Sequence, residues 1–334
     1  MTRSAASGQL QGTLFELPRE RLDAAPLRPE HADLAARLPA GVRLGTMSWT
    51  FPGWRGIVYA ANARAEQLAA EGLAAYAQHP LLGVVEIDRS YYDPLSSESF
   101  RGFAQQVPED FRFLVKAHQA CTIQRFPRHA RYGKKRGEGN PLFLDAAHAT
   151  ETVIGPTLEG LGAKLSALLF QFSPEEFGAP QGFAERLQSF LAALPKGVTY
   201  AVELRNPALF TPAYAAGLAA GGAVHCHNAW GEMPSVLAQA KALPPVARRP
   251  LVVRWLFPPG DSYAAASERL APFDRIVQED VTRRDAIARL VANALRHDVP
   301  ALVLVNNDAE GCAPESIERL ARSIVARSAP DPDT

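Results

Sequence analysis

The feature that most constrains this chain is a regular alternation of short apolar runs with longer helical stretches, which begins after Gly41. The apolar runs are rich in β-forming residues and predict buried strands, and the Ala- and Leu-rich segments between them predict helices. Such alternation favours parallel strands joined by right-handed crossovers. The predicted strands are Val42–Ser48, Leu82–Asp88, Phe111–Ala117, Leu165–Gln171, Val198–Leu204, Ala223–His227, Leu251–Leu256 and Ala301–Asn306. The predicted helices include Ala63–Gln78, Asp145–Leu161, Phe183–Leu194, Asp285–Leu295 and Pro314–Ala326.

Eight strand–helix units predict an α/β protein with a single (β/α)₈ TIM barrel. A doubly wound open sheet is the alternative, but the residues after Gly45 do not form the G-x-G-x-x-G phosphate-binding sequence. The connections His118–Asp145, after the third strand, and Asn228–Arg249, after the sixth, are long, as binding loops on the catalytic face often are. We predict a flexible arm over residues 1–40, with a short helix near His31–Arg37, a barrel over 41–327 and a tail over 328–334.

The composition of the chain bears on its binding partners and on its cellular compartment. The 35 basic residues equal the 35 acidic residues in number, so the overall charge gives no reason to expect nucleic acid or an anionic membrane as a partner. Cys121, Cys226 and Cys312 are far apart and form neither a zinc spacing nor a disulfide framework, which favours a reducing compartment. Because no apolar run approaches the length of a membrane span or a signal sequence, we expect a cytoplasmic protein of undetermined oligomeric state without a membrane partner.

Polar residues recur two positions apart at the C-terminal ends of the predicted strands. Residues at that spacing share one face of a strand, and in a barrel they would converge at the top of the interior, where active sites lie. One such pair can be a satisfied core pair, but burying all of them without a ligand or solvent would be unfavourable. The residues are Thr46 and Ser48, Glu86 and Asp88, Lys116 and His118, Gln171 and Ser173, Glu203 and Arg205, His225 and His227, Arg254, and Asn306 and Asp308.

The central catalytic candidates are Glu203 and Arg205, at the end of the fifth strand, with Glu86 and Lys116 from the second and third. The two glutamates are predicted to transfer protons, whereas Lys116, Arg205 and Arg254 are predicted to stabilise negative charge. A salt bridge between Glu203 and Arg205 that only closes the barrel mouth is the structural alternative. Lys116 as a Schiff-base amine is disfavoured by the sequence, since flanking carboxylates would raise its pKa.

Further polar and aromatic residues follow the strands and are predicted to bind substrate. They are Ser48, Trp49, Trp54, Asp88, Tyr91, His118, Gln171, Asn206, Asn228, Trp230, Arg254, Asn306, Asn307 and Asp308. His225 and His227, with a carboxylate from another strand, resemble the ligands of a divalent metal, although packing explains this pair equally well. The sequence therefore leaves a metal cofactor open.

The loop after the third strand is strongly basic, with aromatic residues between the charges. Such a loop can hold phosphates while its rings stack on bases, and a solvated loop without a partner is the alternative. Its residues are Arg125, Phe126, Arg128, His129, Arg131, Tyr132, Lys134, Lys135 and Arg136.

Several of these segments resemble the motifs of the YecE-like family, a group of TIM-barrel proteins of unknown function. The matching segments are 45–49, 51–56, 85–88, 90–92, 113–117, 168–172, 202–207 and 305–308, and Asn228-x-Trp230-x-x-Met233-Pro234 resembles a subgroup of longer members. The resemblance covers residues 41–326 and implies a barrel without an established activity. Asp88 stands where the family commonly has asparagine, and the His225/His227 pair is not a general family feature. The family barrel is similar to those of two metal-dependent enzymes, endonuclease IV and xylose isomerase, which is an analogy of fold.

The leading hypothesis is a hydrolase- or lyase-like enzyme, using acid/base or metal-assisted chemistry on an anionic or phosphate-bearing substrate at the C-terminal mouth of the barrel. One alternative is a non-catalytic nucleic-acid-binding or repair-associated module that uses the basic loop. Another is a barrel that binds a metabolite without turning it over.

Overall fold

The chain folds into a closed barrel of eight parallel strands, seen in a computed structural model that describes residues 22–244, 246, 248–257 and 263–328. Each strand pairs with its neighbours in sequence, and the last strand pairs with the first to close the barrel. The strands are β1 (Val42–Thr46), β2 (Val84–Ile87), β3 (Arg112–Lys116), β4 (Leu165–Phe172), β5 (Tyr200–Leu204), β6 (Val224–Ala229), β7 (Leu251–Trp255) and β8 (Ala301–Val305). All eight predicted strands are confirmed, with ends that agree to within two residues.

Helices follow the strands and form the outer layer. They are α1 (Pro29–Arg37), α2 (Ala65–Tyr76), α3 (Ser97–Ala104), α4 (Ala146–Ala149), α5 (Gly155–Leu161), α6 (Pro180–Ala193), α7 (Pro212–Gly221), α8 (Val236–Ala242), α9 (Tyr263–Leu270), α10 (Val281–Leu295) and α11 (Ala313–Ser328). A wide π-helical turn, Thr150–Ile154, joins α4 to α5, so the helix predicted over Asp145–Leu161 is present as one run with this irregularity. Pro156, which has no N–H to donate, is the second residue after the wide turn.

Apolar side chains pack in two groups because successive residues of a strand point to opposite faces of the sheet. The larger group fills the space between the strands and the helices and includes Val85, Phe170 and Val253. The smaller group lies inside the barrel, where side chains from different strands meet and close the lower part of the interior. Its buried members are Met47, Val84, Leu114, Ala167, Leu169, Ala201, Val224, Cys226, Val252, Leu256, Leu302 and Leu304.

Residues 22–40, the described part of the predicted arm, lie against the barrel. The Ala25 amide donates to Val58 O at 2.9 Å, and the Ala60 amide donates to Asp23 O at 3.0 Å. Helix α1 includes the predicted helix 31–37 and contacts α11, where His31 Nε2 lies 2.9 Å from Glu318 Oε2. Residues 1–21 and 329–334, which hold the rest of the predicted arm and most of the predicted tail, lie outside the described residues.

The two long connections have structure of their own. The loop after β3 contains a short antiparallel pairing, in which Arg125 bridges Gly139 and the Phe126 amide donates to Glu138 O at 2.9 Å. We call residues 124–140 the basic hairpin. Asn140 anchors its base, because its side-chain amide donates to Ala120 O at 2.8 Å and to Ile123 O at 2.7 Å. The connection after β6 contains α8.

Gly45 is required by the close approach of β1 to β2. An added Cβ at this position would lie 1.7 Å from the carbonyl oxygen of Val84. We predict that Gly45→Ala lowers the free energy of unfolding by at least about 2–3 kcal/mol, since backbone cannot move aside as a flexible side chain can. Gly102→Ala in α3 is the matched control, because its Cβ would meet nothing within 4 Å, and it should stabilise by about 0.5–1 kcal/mol. Equal urea midpoints for Gly45→Ala and wild type would contradict this assignment.

Candidate active site

A layer of polar side chains lies directly above the apolar residues inside the barrel. Each of its members follows an interior apolar residue by two positions, and the strand period of two keeps it on the inner face. The layer is nearly inaccessible to solvent, since all five members are buried. These residues are Glu86, Lys116, Gln171, Glu203 and Arg254.

Arg254 is the centre of this layer. Its guanidinium binds Glu86 through two hydrogen bonds, Nε to Oε2 at 3.0 Å and Nη2 to Oε1 at 2.9 Å. Its Nη1 donates to Gln171 Oε1 at 3.2 Å and also to Glu203 Oε2. One cation therefore contacts two fully buried carboxylates. Burial opposes the charge of Arg254, but the two carboxylates outweigh burial and raise its pKa.

Glu203 is held as a carboxylate by two arginines. Its second oxygen, Oε1, accepts a hydrogen bond from Arg205 Nε at 2.7 Å. Burial opposes ionisation of this group, but the charges of Arg254 and Arg205 outweigh burial and lower the pKa to about 2. A group with so low a pKa is a poor proton donor near neutral pH.

Glu86 differs from Glu203 because it is paired with a single arginine. Burial raises its pKa to about 7, against the opposing effect of Arg254, and the neighbouring Asp88 raises it further. A carboxyl group with this pKa holds and releases a proton readily at neutral pH.

Lys116 lies beside these carboxylates and has a partner of its own. Its Nζ donates to Asp88 Oδ1 at 2.8 Å and lies 4.1 Å from the centroid of the Tyr91 ring. Burial lowers the pKa of Lys116, and the charges of Arg254 and Arg205 add to this effect, whereas Asp88 and Glu86 oppose it.

A cavity of about 650 Å³ opens above the polar layer at the C-terminal ends of the strands. Among the described residues, the charged side chains that line it are four basic and two acidic ones, namely Arg89, Lys116, Arg205, Arg254, Glu86 and Asp88. Of the other predicted site residues, those that line it are Ser48, Trp49, Trp54, Tyr91, Gln171, Asn306 and Asn307. Three of the four predicted catalytic residues thus share one cavity, and the fourth, Glu203, lies beneath it.

The predicted aromatic residues mainly build the cavity wall. The indole N–H of Trp49 donates to Leu68 O at 3.0 Å, and that of Trp54 donates to Asn307 Oδ1 at 3.2 Å. Both rings are buried, so they fix the loop after β1 against the rest of the wall. Trp230 lies outside the cavity lining, with its ring centroid 5.5 Å from the Arg205 guanidinium carbon.

Sequence reasoning missed several residues of this cavity, including Met47, Thr50, Arg89 and Phe257. Met47 follows Gly45 by two positions, and its Sδ lies 3.4 Å from Arg254 Nη2. Thr46 also lines the cavity, but its hydroxyl points to the helices, where it bonds the Tyr76 hydroxyl of α2 at 2.9 Å. Counting the strand period from the apolar interior residues, rather than from the polar ones, would have found Met47.

Comparison with known proteins identifies the family. A family model described as "Protein of unknown function DUF72" matches residues 43–333. The chain belongs to this family. YecE-like proteins are the DUF72 family, so the resemblance of the sequence motifs is confirmed. A search of curated proteins finds no match.

Two solved DUF72 structures are similar to this chain in fold. A DUF72 family protein from Enterococcus faecalis V583 has 19% identity and a TM-score of 0.56, over 87% of this chain and 96% of that one. A DUF72 family protein from Thermotoga maritima MSB8 has 18% identity and a TM-score of 0.56, over 84% of this chain and 98% of that one. At these identities the likeness shows the barrel alone. In the described part of this DUF72 protein, no helix combines the length and apolarity needed to cross a membrane.

The predicted metal ligands of this DUF72 protein, His225 and His227, lie with their ring centroids 5.0 Å apart, but no described carboxylate completes a metal site with them. The interior positions of β6 are Val224 and Cys226, so the alternating His225 and His227 face the helices instead, and the expectation that they converge on the interior is wrong. The two oxygens of Glu203 are bonded to arginines, and Asp88 is bonded to Lys116. Within the described residues, no three His, Cys, Asp or Glu side chains are grouped to hold a metal ion.

His225 is a satisfied residue of the outer packing layer. Its Nε2 lies 3.0 Å from Gln239 Oε1, which can only accept, so Nε2 carries the hydrogen and Nδ1 accepts from the Tyr214 hydroxyl at 2.9 Å. The Gln239 amide is itself fixed, because the Asn228 amide donates to its Oε1 at 3.0 Å. This network accounts for His225 without a ligand.

Other predicted site residues also lie away from the cavity lining. Asn206 donates to Glu175 O at 2.8 Å, and Asn228 donates to Leu204 O at 2.7 Å, so both stabilise loop and strand ends. The His118 ring centroid lies 6.0 Å from that of His148. Asp308 is buried, and burial raises its pKa to about 6.

We expect the buried histidines to make the folded protein less stable at acid pH. Burial lowers the pKa of His225 to about 4 and that of His227 to about 3, below the ordinary value of 6.5. The unfolded chain therefore binds these protons first, and stability that is complete above pH 6.5 is lost as the pH falls towards 4. We predict that His227→Phe reduces the loss between pH 6.5 and 5 by roughly 1–2 kcal/mol, measured by urea unfolding at each pH.

The pH dependence of stability in His227→Phe must be compared with that of wild type, because Glu86 contributes to this pH dependence with the opposite sign. Its folded-state pKa is raised, so its protonation favours the folded state over part of the same range. An unchanged pH dependence in His227→Phe would show that His227 is not the group that titrates.

Proposed function

We propose that this DUF72 protein is an enzyme that acts on a small anionic molecule in the cavity at the C-terminal end of the barrel. The observation that carries the proposal is the charge of the described part of the lining, where four basic side chains outnumber two acidic ones. The lining keeps an excess of positive charge even with both carboxylates ionised. This excess is local, since the whole chain has a net charge of zero.

Arg205 is the best placed group to bind an anion. Its Nε is held by Glu203, which fixes the direction of the planar guanidinium. Within the described residues, its two η nitrogens have no hydrogen-bond partner, and the side chain retains 18% of its exposure. A guanidinium held in this way can bind a carboxylate or a phosphate with two parallel hydrogen bonds.

Two side-chain amides add further donors. Asn307 Oδ1 accepts from the Trp54 indole and from the Ala313 amide at 2.8 Å, so its NH₂ group is left to donate. Asn306, which also lines the cavity, has its Oδ1 occupied by a hydrogen bond from the Asp308 amide at 3.3 Å, so its NH₂ group is the part available to a ligand as a donor. Donors suit the oxygen atoms of an anionic substrate, which supports the roles predicted for both asparagines.

Glu86 is the proton-transfer residue of this proposal. It lines the cavity and has a pKa of about 7, whereas Glu203 lies beneath the cavity with a pKa of about 2. Two carboxyl groups with such different pKa values have separate roles, as in many acid/base sites. We therefore assign Glu203 to the positioning of Arg254 and Arg205, and Glu86 to the chemistry.

Binding of inorganic phosphate, followed by calorimetry and thermal unfolding, tests the proposal. We predict saturable binding that weakens with salt, and a loss of at least about tenfold in Arg205→Gln, because charge-assisted hydrogen bonds contribute about 1.5–3 kcal/mol. Arg186→Gln is the matched control, since this arginine bonds Phe143 O at 2.8 Å outside the cavity. Phosphate binding that Arg205→Gln leaves intact would refute the assignment of the cavity.

The same preparation separates an enzyme from a barrel that only binds a metabolite. Glu86→Gln should retain phosphate binding and lose turnover across a panel of phosphate esters, carboxylates and carbonyl acids. Saturable binding by wild type with no turnover of any compound in a broad panel would favour the binding protein.

A second candidate function is nucleic-acid binding by the basic hairpin. Residues 124–140 contain six lysines and arginines and a single acidic residue. The pairing of Arg125 with Gly139 and the hydrogen bond from Tyr132 to Gln119 Oε1 at 2.7 Å hold the hairpin in place. A groove of about 1000 Å³ at its base is lined by Arg125, Phe126 and Arg128, as well as by acidic residues of the loop after β4. Cations beside an aromatic ring suit single-stranded nucleic acid, whose phosphates bind the cations and whose bases stack on the ring.

Fluorescence anisotropy with a labelled single-stranded oligonucleotide tests this candidate. We predict that replacing Arg125, Arg128, Lys134 and Lys135 by alanine weakens binding at least tenfold, with a salt slope smaller by about 0.7 for each phosphate that is no longer neutralised. The control replaces the exposed Arg64, Lys196 and Lys241, on other parts of the surface. Equal weakening in both variants would indicate unspecific attraction, and no binding by wild type would remove the candidate.

A further inference from the structure

Lys116 has an environment that the proton-transfer role of Glu86 does not explain. Among the described residues that line the cavity it is the one lysine, and its side chain retains 8% of its exposure. Its Nζ meets the ring face of Tyr91 on one side and Asp88 Oδ1 on another. An amine that is desolvated and yet faces a ligand-sized cavity is typical of covalent catalysis by lysine.

The carboxylates around Lys116 are mostly engaged elsewhere. Both oxygens of Glu86 accept from Arg254, and Glu203 is shared by Arg254 and Arg205. Asp88, which is partly exposed, is therefore the carboxylate left to pair with Lys116. Sequence reasoning disfavoured a nucleophilic lysine because it counted these carboxylates as its neighbours without their arginines. Burial, with two arginines nearby, outweighs Asp88 and lowers the pKa of Lys116.

We propose that Lys116 forms a Schiff base with the carbonyl carbon of an anionic aldehyde or ketone bound in the cavity. This inference rests on the proposed function, since Arg205 and the asparagine amides would hold the anionic group of the same molecule. It adds the chemical class of the substrate and the type of reaction. The basic hairpin has no role in this reaction.

The chemistry uses groups that are already in contact. Asp88 takes a proton from the ammonium group, and the amine lone pair then forms a C–N bond while the carbonyl π bond breaks. The second nitrogen proton moves to the resulting oxygen. Protonated Asp88 then protonates the hydroxyl, the C–O bond breaks and water leaves. The sum is one ammonium and one carbonyl giving one iminium and one water, with no change in oxidation state.

The iminium withdraws electrons from the neighbouring carbon. A C–C bond from that carbon to a hydroxyl-bearing carbon can then break. The electron pair of this bond moves into the C–N system as an enamine, the hydroxyl loses its proton, and the second fragment leaves as an aldehyde or ketone. Glu86 is suited to accept the proton released in this step and to return it later, because its pKa is about 7. The Tyr91 ring face, 4.1 Å from Nζ, also suits the positive charge of the iminium. This sequence of steps gives the protein a lyase-type reaction.

Reductive trapping with pyridoxal 5′-phosphate and borohydride tests the proposal. The probe joins an aldehyde to a phosphate, and reduction converts its imine into a stable secondary amine that peptide mass spectrometry can locate. We expect Lys116 to be labelled at least about tenfold faster than the exposed Lys134 and Lys135, since its lowered pKa leaves more of the amine unprotonated at neutral pH. Inorganic phosphate should protect Lys116 and not the exposed lysines.

Lys164 is the matched control for the position of the label. It is also buried, but its Nζ donates to Ala104 O at 2.8 Å and Val107 O at 2.9 Å, outside the cavity. Lys116→Arg should lose the fast, phosphate-protected label, and Lys164→Arg should keep it. Labelling of Lys116 no faster than that of Lys134 would overturn the proposal, and this result comes from wild type alone, whether or not a variant folds.

Pyridoxal, which lacks the phosphate, separates failure of this inference from failure of the proposed function. Fast labelling of Lys116 by both aldehydes, without protection by phosphate, would support the Schiff base and refute the anion site. Phosphate binding that depends on Arg205, with Lys116 unlabelled by either aldehyde, would refute the Schiff base and leave the anion site standing.

Discussion

The interior of this barrel depends on the pairing of Arg254 with two buried carboxylates. An ionised carboxylate in a protein interior is strongly unfavourable unless a cation and hydrogen bonds compensate for the lost water. Arg254 belongs to β7, whereas Glu86 and Glu203 belong to β2 and β5, which are not neighbours of β7 in the sheet. The contacts therefore cross the lumen and hold three strands at a defined separation. Removing the arginine would leave both carboxylates without this compensation.

The contacts with arginine also give the two glutamates different pKa values. Glu203 has a second arginine and stays ionised, while Glu86 has one and titrates near neutrality. The difference does not arise from the residue type, since both are glutamates on the inner face. It arises from how many cations each one contacts at equal burial. Arg205 is fixed in direction by the same network, so the position of the proposed anion site follows from it.

Membership of the DUF72 family and the two similar structures establish the barrel, and a barrel by itself supports many chemistries. Function must therefore be inferred from the site. An apolar base closes the lower interior, a polar layer sits on it, and a cavity with excess positive charge opens above. The loops after the strands complete the wall, with Trp49 and Trp54 held by hydrogen bonds to fixed partners. Together these features create a partly desolvated cavity with excess positive charge, which contains the titratable carboxyl group of Glu86 and the amine of Lys116.

The sequence by itself determined the eight strands, their order and the layer of polar residues on β2 to β5 and β7. These follow from local periodicity, because a strand alternates its faces and an apolar run must be buried. Only the tertiary structure decided which face of β1 and β6 is inward, and there the polar pattern was misleading, as His225 and Thr46 show. It also decided which carboxylate pairs with which arginine. Arg254 is 168 residues from Glu86 and 51 from Glu203, and no local pattern encodes contacts at such separations. The shifted pKa values of Glu86 and Lys116 arise from those contacts and from burial, so they exist only once the barrel has closed.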